Sequence, residues 1–271
     1  AMAYEPVLKP KKVLIVGGGV AGCEAARVLA IRGHKPELFE KGSQLGGNLL
    51  PGGAPDFKED DLALARWYAV QLDKLGVPVH LNTEIGKAEV LSGDYDAVIL
   101  ATGSVPKRFS LGDDDRVYTA EQVLLKEKDC GASTVVVGAG LVGCETALWL
   151  AQQGRKVTLV EALDKIMAVN GPICSANKEM LERLIPYNGI DVITGAKVTG
   201  YRDGVLTAEV GGETKDIACD SVILSVGYRE NNSLYQELQF DVPELYLLGD
   251  AKKVSNIMYA IWDAFEVANH I

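Results

Sequence analysis

The sequence predicts an α/β chain in which one strand–turn–helix–strand unit is built twice, and three observations carry that prediction. The run Val13-Leu14-Ile15-Val16 is continuously apolar and rich in β-branched residues, and the turn Gly17-Gly18-Gly19-Val20-Ala21-Gly22 and a helical stretch follow it directly. A short run without polar alternation, bounded by turn residues, is a buried strand. The same unit recurs at Thr134-Val135-Val136-Val137, followed by Gly138-Ala139-Gly140-Leu141-Val142-Gly143. In each copy a second strand ends in an acid, Glu40 or Glu161, and the first glycine and the acid are 23 positions apart both times (17 to 40, 138 to 161).

Strand, G-x-G-x-x-G and helix in that order suit a dinucleotide pyrophosphate. The first glycine makes the turn, the second lets backbone approach the phosphates, and the third lets helix pack on strand. The helix then points its free N–H groups and positive end at the anion, and an acid about 20 residues on can hold a ribose hydroxyl. One glycine pattern is weak evidence. Two with the same spacing to an acid predict two dinucleotide sites, hence two Rossmann-like, three-layer β/β/α domains.

The totals fit. A chain of 271 residues accommodates two domains with a substantial core, and 29 glycines suit many tight turns. A net charge of −10, with no basic run or aromatic-basic platform, argues against nucleic-acid binding. No apolar run approaches the roughly 18 residues of a membrane span, and no signal peptide is visible. Five scattered cysteines (Cys23, Cys130, Cys144, Cys174, Cys219) show no metal-ligand spacing and no C-x-x-C, which suits a reducing cytoplasm. Cys23 and Cys144, each just after a third glycine, read as small core residues. Ala1-Met2-Ala3 resembles a cloning scar, and a buried strand so near the start suggests an excised fragment.

Taken in order, residues 4–11 are a polar lead-in and 12–41 the first β-α-β unit. Residues 42–55 read as a loop carrying Leu45-Gly46-Gly47-Asn48-Leu49, and 59–75 as a helix ending at Gly76. A strand at 77–81 and alternating residues lead to Asp96-Ala97-Val98-Ile99-Leu100-Ala101-Thr102-Gly103, a buried strand closing in a small-residue turn. A crossover with a short helix near 120–126 precedes the second unit at 134–161. A helix at 178–185, a strand at 190–193 and a meander between 198 and 218 follow. Asp220-Ser221-Val222-Ile223-Leu224-Ser225-Val226-Gly227 then repeats the 96–103 pattern, so the duplication extends beyond the glycine turns. Leu245-Tyr246-Leu247-Leu248-Gly249-Asp250 is a last buried strand, and a helix from about Asn256 to His270 closes the chain.

With both turns, the Ala101-Thr102-Gly103 segment, its second copy at Gly227 and the Gly249-Asp250 motif in this order, the whole chain resembles the two-dinucleotide-binding-domain flavoproteins. The resemblance implies an NAD(H) domain (110–232) inserted in a discontinuous FAD domain (1–109 and 233–271). Leu45-Gly46-Gly47-Asn48-Leu49 and Ala54-Pro55-Asp56-Phe57-Lys58-Glu59-Asp60 are similar to a narrower group. That group is the C-terminal half of the NADH:flavin oxidoreductases related to old yellow enzyme, of the 2-enoate and 2,4-dienoyl-CoA reductase type. Those proteins begin with an FMN-holding barrel and a [4Fe–4S] segment, neither of which is in this sequence; the chain starts where their flavin domain begins.

The resemblance implies the following roles. Gly17, Gly19, Val20, Ala21 and Gly22 would cradle the FAD pyrophosphate, with Glu40 and Lys41 at the adenosine ribose. Thr83, Glu84 and Ile85 would lie near the adenine, and Ala101, Thr102 and Gly103 would approach the cofactor by backbone. Gly47, Asn48 and Leu49 would sit near the isoalloxazine, and Asp250 would accept from a ribitol hydroxyl where Gly249 lets the flavin chain pass. Lys58 is either a flavin contact or a solvated lysine opening a helix. Gly138, Gly140, Leu141, Val142, Gly143, Glu161 and Gly227 would hold NAD(H). Glu145 either orients the nicotinamide side or is a first-turn acid favoured by the helix dipole.

Glu161-Ala162-Leu163-Asp164 has no arginine to welcome a 2′-phosphate, which favours NADH over NADPH. No catalytic side chain and no metal ligand is expected. Hydride transfer from NADH to FAD needs stacking, orientation and exclusion of water. Electrons would then pass to the absent iron–sulfur and FMN segments, which reduce a C=C bond. Two alternatives stand beside this reading: a stand-alone ferredoxin-type NAD(P)H reductase, and an ADP-binding structural module such as the corresponding region of trimethylamine dehydrogenase. A disulfide reductase would need a redox cysteine pair, which the sequence lacks.

Overall fold

The computed structural model describes residues 4–112, 115–168 and 173–271, so the suspected scar Ala1-Met2-Ala3 lies outside the described residues. The chain forms two compact units: one from residues up to 53, 58–105 and 229–271, the other from 54–57 and 106–228. Among the described residues no helix is long and apolar enough to cross a membrane.

The first unit opens with β1 (Lys12–Val16), α1 (Val20–Arg32) and β2 (Lys35–Phe39). Then come α2 (Leu49–Gly52), α3 (Glu59–Lys74), β3 (Val79–His80), α4 (Lys87–Ser92), β4 (Ala97–Leu100) and β5 (Ser104–Pro106); the 3-10 turn Asp56–Lys58, between α2 and α3 in sequence, has its first two residues in the second unit. The second unit runs β6 (Val117–Thr119), α5 (Ala120–Leu124), β7 (Ser133–Val137), α6 (Leu141–Gln152), β8 (Lys156–Val160), α7 (Ser175–Tyr187) and β9 (Asp191–Ile193). It continues through β10 (Ala196–Arg202), β11 (Val205–Val210), β12 (Glu213–Ala218) and β13 (Ser221–Leu224). The chain returns through β14 (Tyr228–Glu230) to complete the first unit with α8 (Ser233–Leu238), β15 (Leu245–Leu247) and α9 (Ile257–His270).

Each unit is built on a five-stranded parallel sheet, ordered β15-β4-β1-β2-β3 in the first and β6-β13-β7-β8-β9 in the second. In both, the strand before the glycine turn is central and the connections leave it in opposite directions, so a crevice opens at its carboxyl end. Continuous apolar strands follow from covering both faces. Val13 and Ile15 pack with α1, α3 and α9, whereas Leu14 and Val16 join Val98, Leu100 and residues of α4 and α8. In the second unit Val136 and Ile223 face the helical side, and Val135, Val137, Val222 and Leu224 face the antiparallel meander β10-β11-β12. Each such aliphatic side chain, fully buried, contributes about 1.5–3 kcal/mol.

Several local expectations change. The 42–55 loop contains α2, whose Leu49 is buried. The 77–81 strand shortens to two residues. The alternating stretch before Asp96 is the helix α4, which docks Val90 into the core and whose Glu89 carboxylate accepts the Gly86 N–H at 3.0 Å. Gly76 does follow α3 in the left-handed region (φ +66), donating to the Asp73 carbonyl.

Two candidate dinucleotide sites

At the first turn, Gly17 adopts φ +109, a region that favours glycine, and a Cβ there would lie 2.3 Å from the Ala101 carbonyl oxygen. A Cβ on Gly22 would lie 1.9 Å from the Gly17 carbonyl oxygen, so α1 rests directly on the turn. Gly19 is different: its Cβ would meet nothing nearer than the Gly47 Cα at 3.9 Å. That space lies at the start of α1, which no side chain caps, and it is the cradle an anion needs. Glu40 staples the turn, accepting the Gly18 N–H at 2.7 Å and the Gly42 N–H at 2.6 Å. The Gly18 carbonyl accepts from the Gly46 N–H at 2.9 Å and from the Cys23 thiol.

The second turn repeats this wiring. Gly138 has φ +98 and a Cβ position 2.4 Å from the Ser225 carbonyl oxygen, and a Cβ on Gly143 would lie 1.9 Å from the Gly138 carbonyl oxygen. Glu161 accepts the Ala139 N–H at 2.6 Å and the Leu163 N–H at 2.9 Å. The Ala139 carbonyl accepts from the Met167 N–H at 2.7 Å and from the Cys144 thiol. Gly46 and Met167 each stand six residues past their acid (40 to 46, 161 to 167). Gly140 is the N-cap of α6, with Leu141 and Val142 half-buried in its first turn.

Both turn cysteines are core residues, and burial pushes the Cys144 thiol up to about 12 and the Cys23 thiol higher still. All five cysteines are free. One expectation for Glu145 is corrected. Because α6 begins at Leu141, Glu145 is its fifth residue and lies past the first turn, at 8% exposure, so it is no solvated acid on the helix dipole.

The remaining residues of the first unit group around the carboxyl ends of its strands. The Thr83 N–H donates to the Glu40 carbonyl at 2.9 Å, which ties the 83–85 loop to the acid; Ile85 packs on the core while Glu84 and Lys41 are exposed. Ala101 is buried, the Thr102 hydroxyl donates to the Asn231 carbonyl, and Gly103 has φ +71 with no atom within 4 Å of a Cβ. Gly227 in the second unit repeats that open turn with φ +89. Gly47 lies against Gly19, a Cβ there falling 3.0 Å from the Gly19 Cα. Lys58 is the N-cap of α3 and is paired with Asp61 at 3.4 Å, so it is not simply solvated.

Asn48, Ser104 and Asp250 form a chain. The Asn48 amide donates to the Ser104 hydroxyl at 3.2 Å, and that hydroxyl donates to Asp250 at 3.0 Å. Asp250 also accepts the Ser255 N–H at 3.0 Å, and the Gly249 N–H donates to Asp263 at 2.9 Å. Sequence reasoning missed Ser104 and Asp263. Ser104 directly follows the Ala101-Thr102-Gly103 turn and carried a positional signal; Asp263 sits mid-helix and carried none. It also missed Glu121 of α5. There burial pushes the carboxyl up while a hydrogen bond from Tyr228 holds it down, and Oε1 is buried without a partner.

The pattern of the pyridine nucleotide-disulphide oxidoreductases matches residues 11–263, nearly the whole chain. The chain belongs to that family. The chain is 51% identical over 261 residues to the cinnamate reductase of Clostridium sporogenes, covering 96% of this chain and 39% of that one. It is 35% identical over 266 residues to the NADH oxidase of Thermoanaerobacter brockii, covering 95% and 40%. A solved 2-naphthoyl-CoA reductase complex superimposes with TM-score 0.93 at 28% identity, covering 99% of this chain and 41% of that one. The chain thus spans about two-fifths of the length of these relatives.

Proposed function

We propose that this oxidoreductase is the NADH-to-FAD electron-entry module of a larger reductase of activated C=C bonds, with FAD in the first unit and NAD(H) in the second. The observation that carries the reading is the pair of identically wired glycine turns, each with an acid-stapled backbone and a helix start that no side chain caps. The bound nicotinamide and flavin supply the hydride chemistry between them.

The chain's own residues bind and orient. N–H groups at the starts of α1 and α6 take the pyrophosphates, and the stapled carboxylates of Glu40 and Glu161 keep lone pairs for ribose hydroxyls, since an ionised carboxylate offers about four acceptor sites. Asp250, held by Ser104 and Ser255, faces a ribitol hydroxyl, and Asn48 with Gly47 borders the flavin ring. Glu161 with no arginine in the next three positions selects NADH by repelling a 2′-phosphate. The names of the relatives, cinnamate reductase and NADH oxidase, support an enoate acceptor and an NADH donor. The three-fifths of their length beyond this match leaves room for an FMN barrel and an iron–sulfur segment.

Anaerobic titration of the FAD-reconstituted chain with NADH and then NADPH, followed by flavin bleaching, tests the reading. Bleaching by NADH in preference to NADPH is expected. Bound FAD that neither nucleotide bleaches would refute it.

A further inference from the structure

The carboxyl ends of three neighbouring strands in the first unit lie level. Val16 of β1 pairs with Leu100 of β4, and Leu100 pairs with Leu247 of β15. Adjacent strands are about 4.8 Å apart, so the end of β15 lies about 10 Å from the end of β1, where the glycine turn begins. Glu40 follows β2, on the opposite side of β1. A dinucleotide with its pyrophosphate over the turn and one ribose at Glu40 therefore extends its other half over β4, toward the turn after β15. That turn, 249–251, also touches the cradle itself. Gly249 has φ +57, and a Cβ on it would fall 2.8 Å from the Ala21 Cβ in the first turn of α1 and 3.8 Å from the Ala260 Cβ of α9.

Gly249 is thus wedged between two helices and buried, so its N–H needs an acceptor. Asp263 supplies one. It lies three residues past Ala260 on α9; Oδ2 accepts the Gly249 N–H at 2.9 Å and Oδ1 accepts the Lys252 ammonium at 2.6 Å. Aspartate suits a helix interior poorly, because its short side chain competes for nearby backbone groups. Here both of its oxygens are turned to the 249–252 segment instead. Gly249 and Lys252 flank Asp250, so Asp263 grips the turn on either side of the residue assigned to the ribitol. The Asp250 carboxylate is oriented separately, by the Ser104 hydroxyl and the Ser255 N–H.

We propose that Asp263 is a positioning residue for the flavin half of FAD. By holding the Gly249 N–H, it fixes where the Asp250 carboxylate stands relative to the pyrophosphate cradle. The inference rests on the reading of the first unit as the FAD site.

Titration of the flavin-stripped full chain with FAD and with ADP, which lacks the riboflavin, tests it. Asp263→Ala is expected to weaken FAD about tenfold, the order of a hydrogen bond to a charged group, and to leave ADP unchanged. Asp263→Asn keeps an oxygen for the Gly249 N–H, and Lys252→Ala removes only an exposed cation. Each should bind FAD within about twofold of wild type. Because Asp263 acts through Asp250, adding Asp263→Ala to Asp250→Ala should weaken FAD no further than Asp250→Ala alone. Unchanged ADP affinity shows in the same experiment that each variant is folded. Equal losses for FAD and ADP, an Asn variant as weak as the Ala variant, or losses that add in the double variant would overturn the assignment. So would an Asp263→Ala chain that binds FAD as tightly as wild type. A wild-type chain that binds ADP but not FAD would overturn the FAD reading, and this inference with it.

Discussion

Replacing Glu161 with alanine separates two tasks assigned to one carboxylate. That side chain accepts the Ala139 N–H at 2.6 Å and the Leu163 N–H at 2.9 Å. Ala139 is fully buried, so its N–H is left without an acceptor, at about 1–3 kcal/mol. Leu163 is 45% exposed, and water takes over its N–H with little loss. The sum is about 2 kcal/mol, equivalent to a fall in Tm of roughly 6–10 °C for a cooperative unit of this size. Glu161→Gln, which keeps one acceptor oxygen, should lose about half as much. Thermal unfolding of the nucleotide-free protein measures the stapling role, and NADH titration measures the ribose role. Unchanged apo stability with lost NADH binding would refute the stapling argument and leave Glu161 a ligand group alone.

Three further outcomes follow from the geometry. Gly17→Ala puts a methyl group 2.3 Å from the Ala101 carbonyl oxygen at a φ of +109, so protein lacking flavin is expected; normal flavin absorbance would contradict this. Arg27 and Glu24 form a nearly buried pair at 2.7 Å, and Arg27→Ala leaves the carboxylate its hydrogen bond from Tyr68 but no cation, at about 3 kcal/mol. The paired replacement Arg27→Met with Glu24→Leu should lose less in denaturant unfolding, and an equal or larger loss would sink the argument. Cys174 is exposed, and N–H groups of Asn177 and Ala176 at the start of α7 hold its thiol below the ordinary value. A lowered pKa means more thiolate at a given pH, so alkylation of native protein should modify Cys174 first, with a rate that levels off below the ordinary thiol pKa of about 8.5. Mass mapping that finds Cys23 or Cys144 modified first would refute it.

The two sheets and both turns were legible because their determinants are local: an apolar run, glycines where φ is positive or a Cβ has no room, and an acid at a set distance. The starts of α1 and α6 were harder. The third glycine of each turn lies inside its helix, and this is why one of the two readings of Glu145 made it a first-turn acid. Helices α4 and α8 have six residues each, too few for a periodic signal, and they exist because Val90 and Leu238 dock on the sheet. Ser104 reaches Asp250 across 146 positions, and Glu121 meets Tyr228 only because β6 and β13 are neighbours. Such partners are made by topology and leave no spacing to read.

The glycines of the first turn also differ in what they testify to. Gly17 and Gly22 are held by the protein's own backbone, Gly17 by the Ala101 oxygen and Gly22 by the Gly17 oxygen. A descendant that had abandoned its nucleotide would still be obliged to keep them, or lose the seat of α1 on β1. Gly19 answers to no such neighbour, since its nearest atom would stand 3.9 Å away. The protein itself leaves room for a side chain there, and on the proposed function it is the bound pyrophosphate that forbids one. Among relatives of this chain, position 19 therefore distinguishes a working nucleotide site from a retired one, and positions 17 and 22 do not.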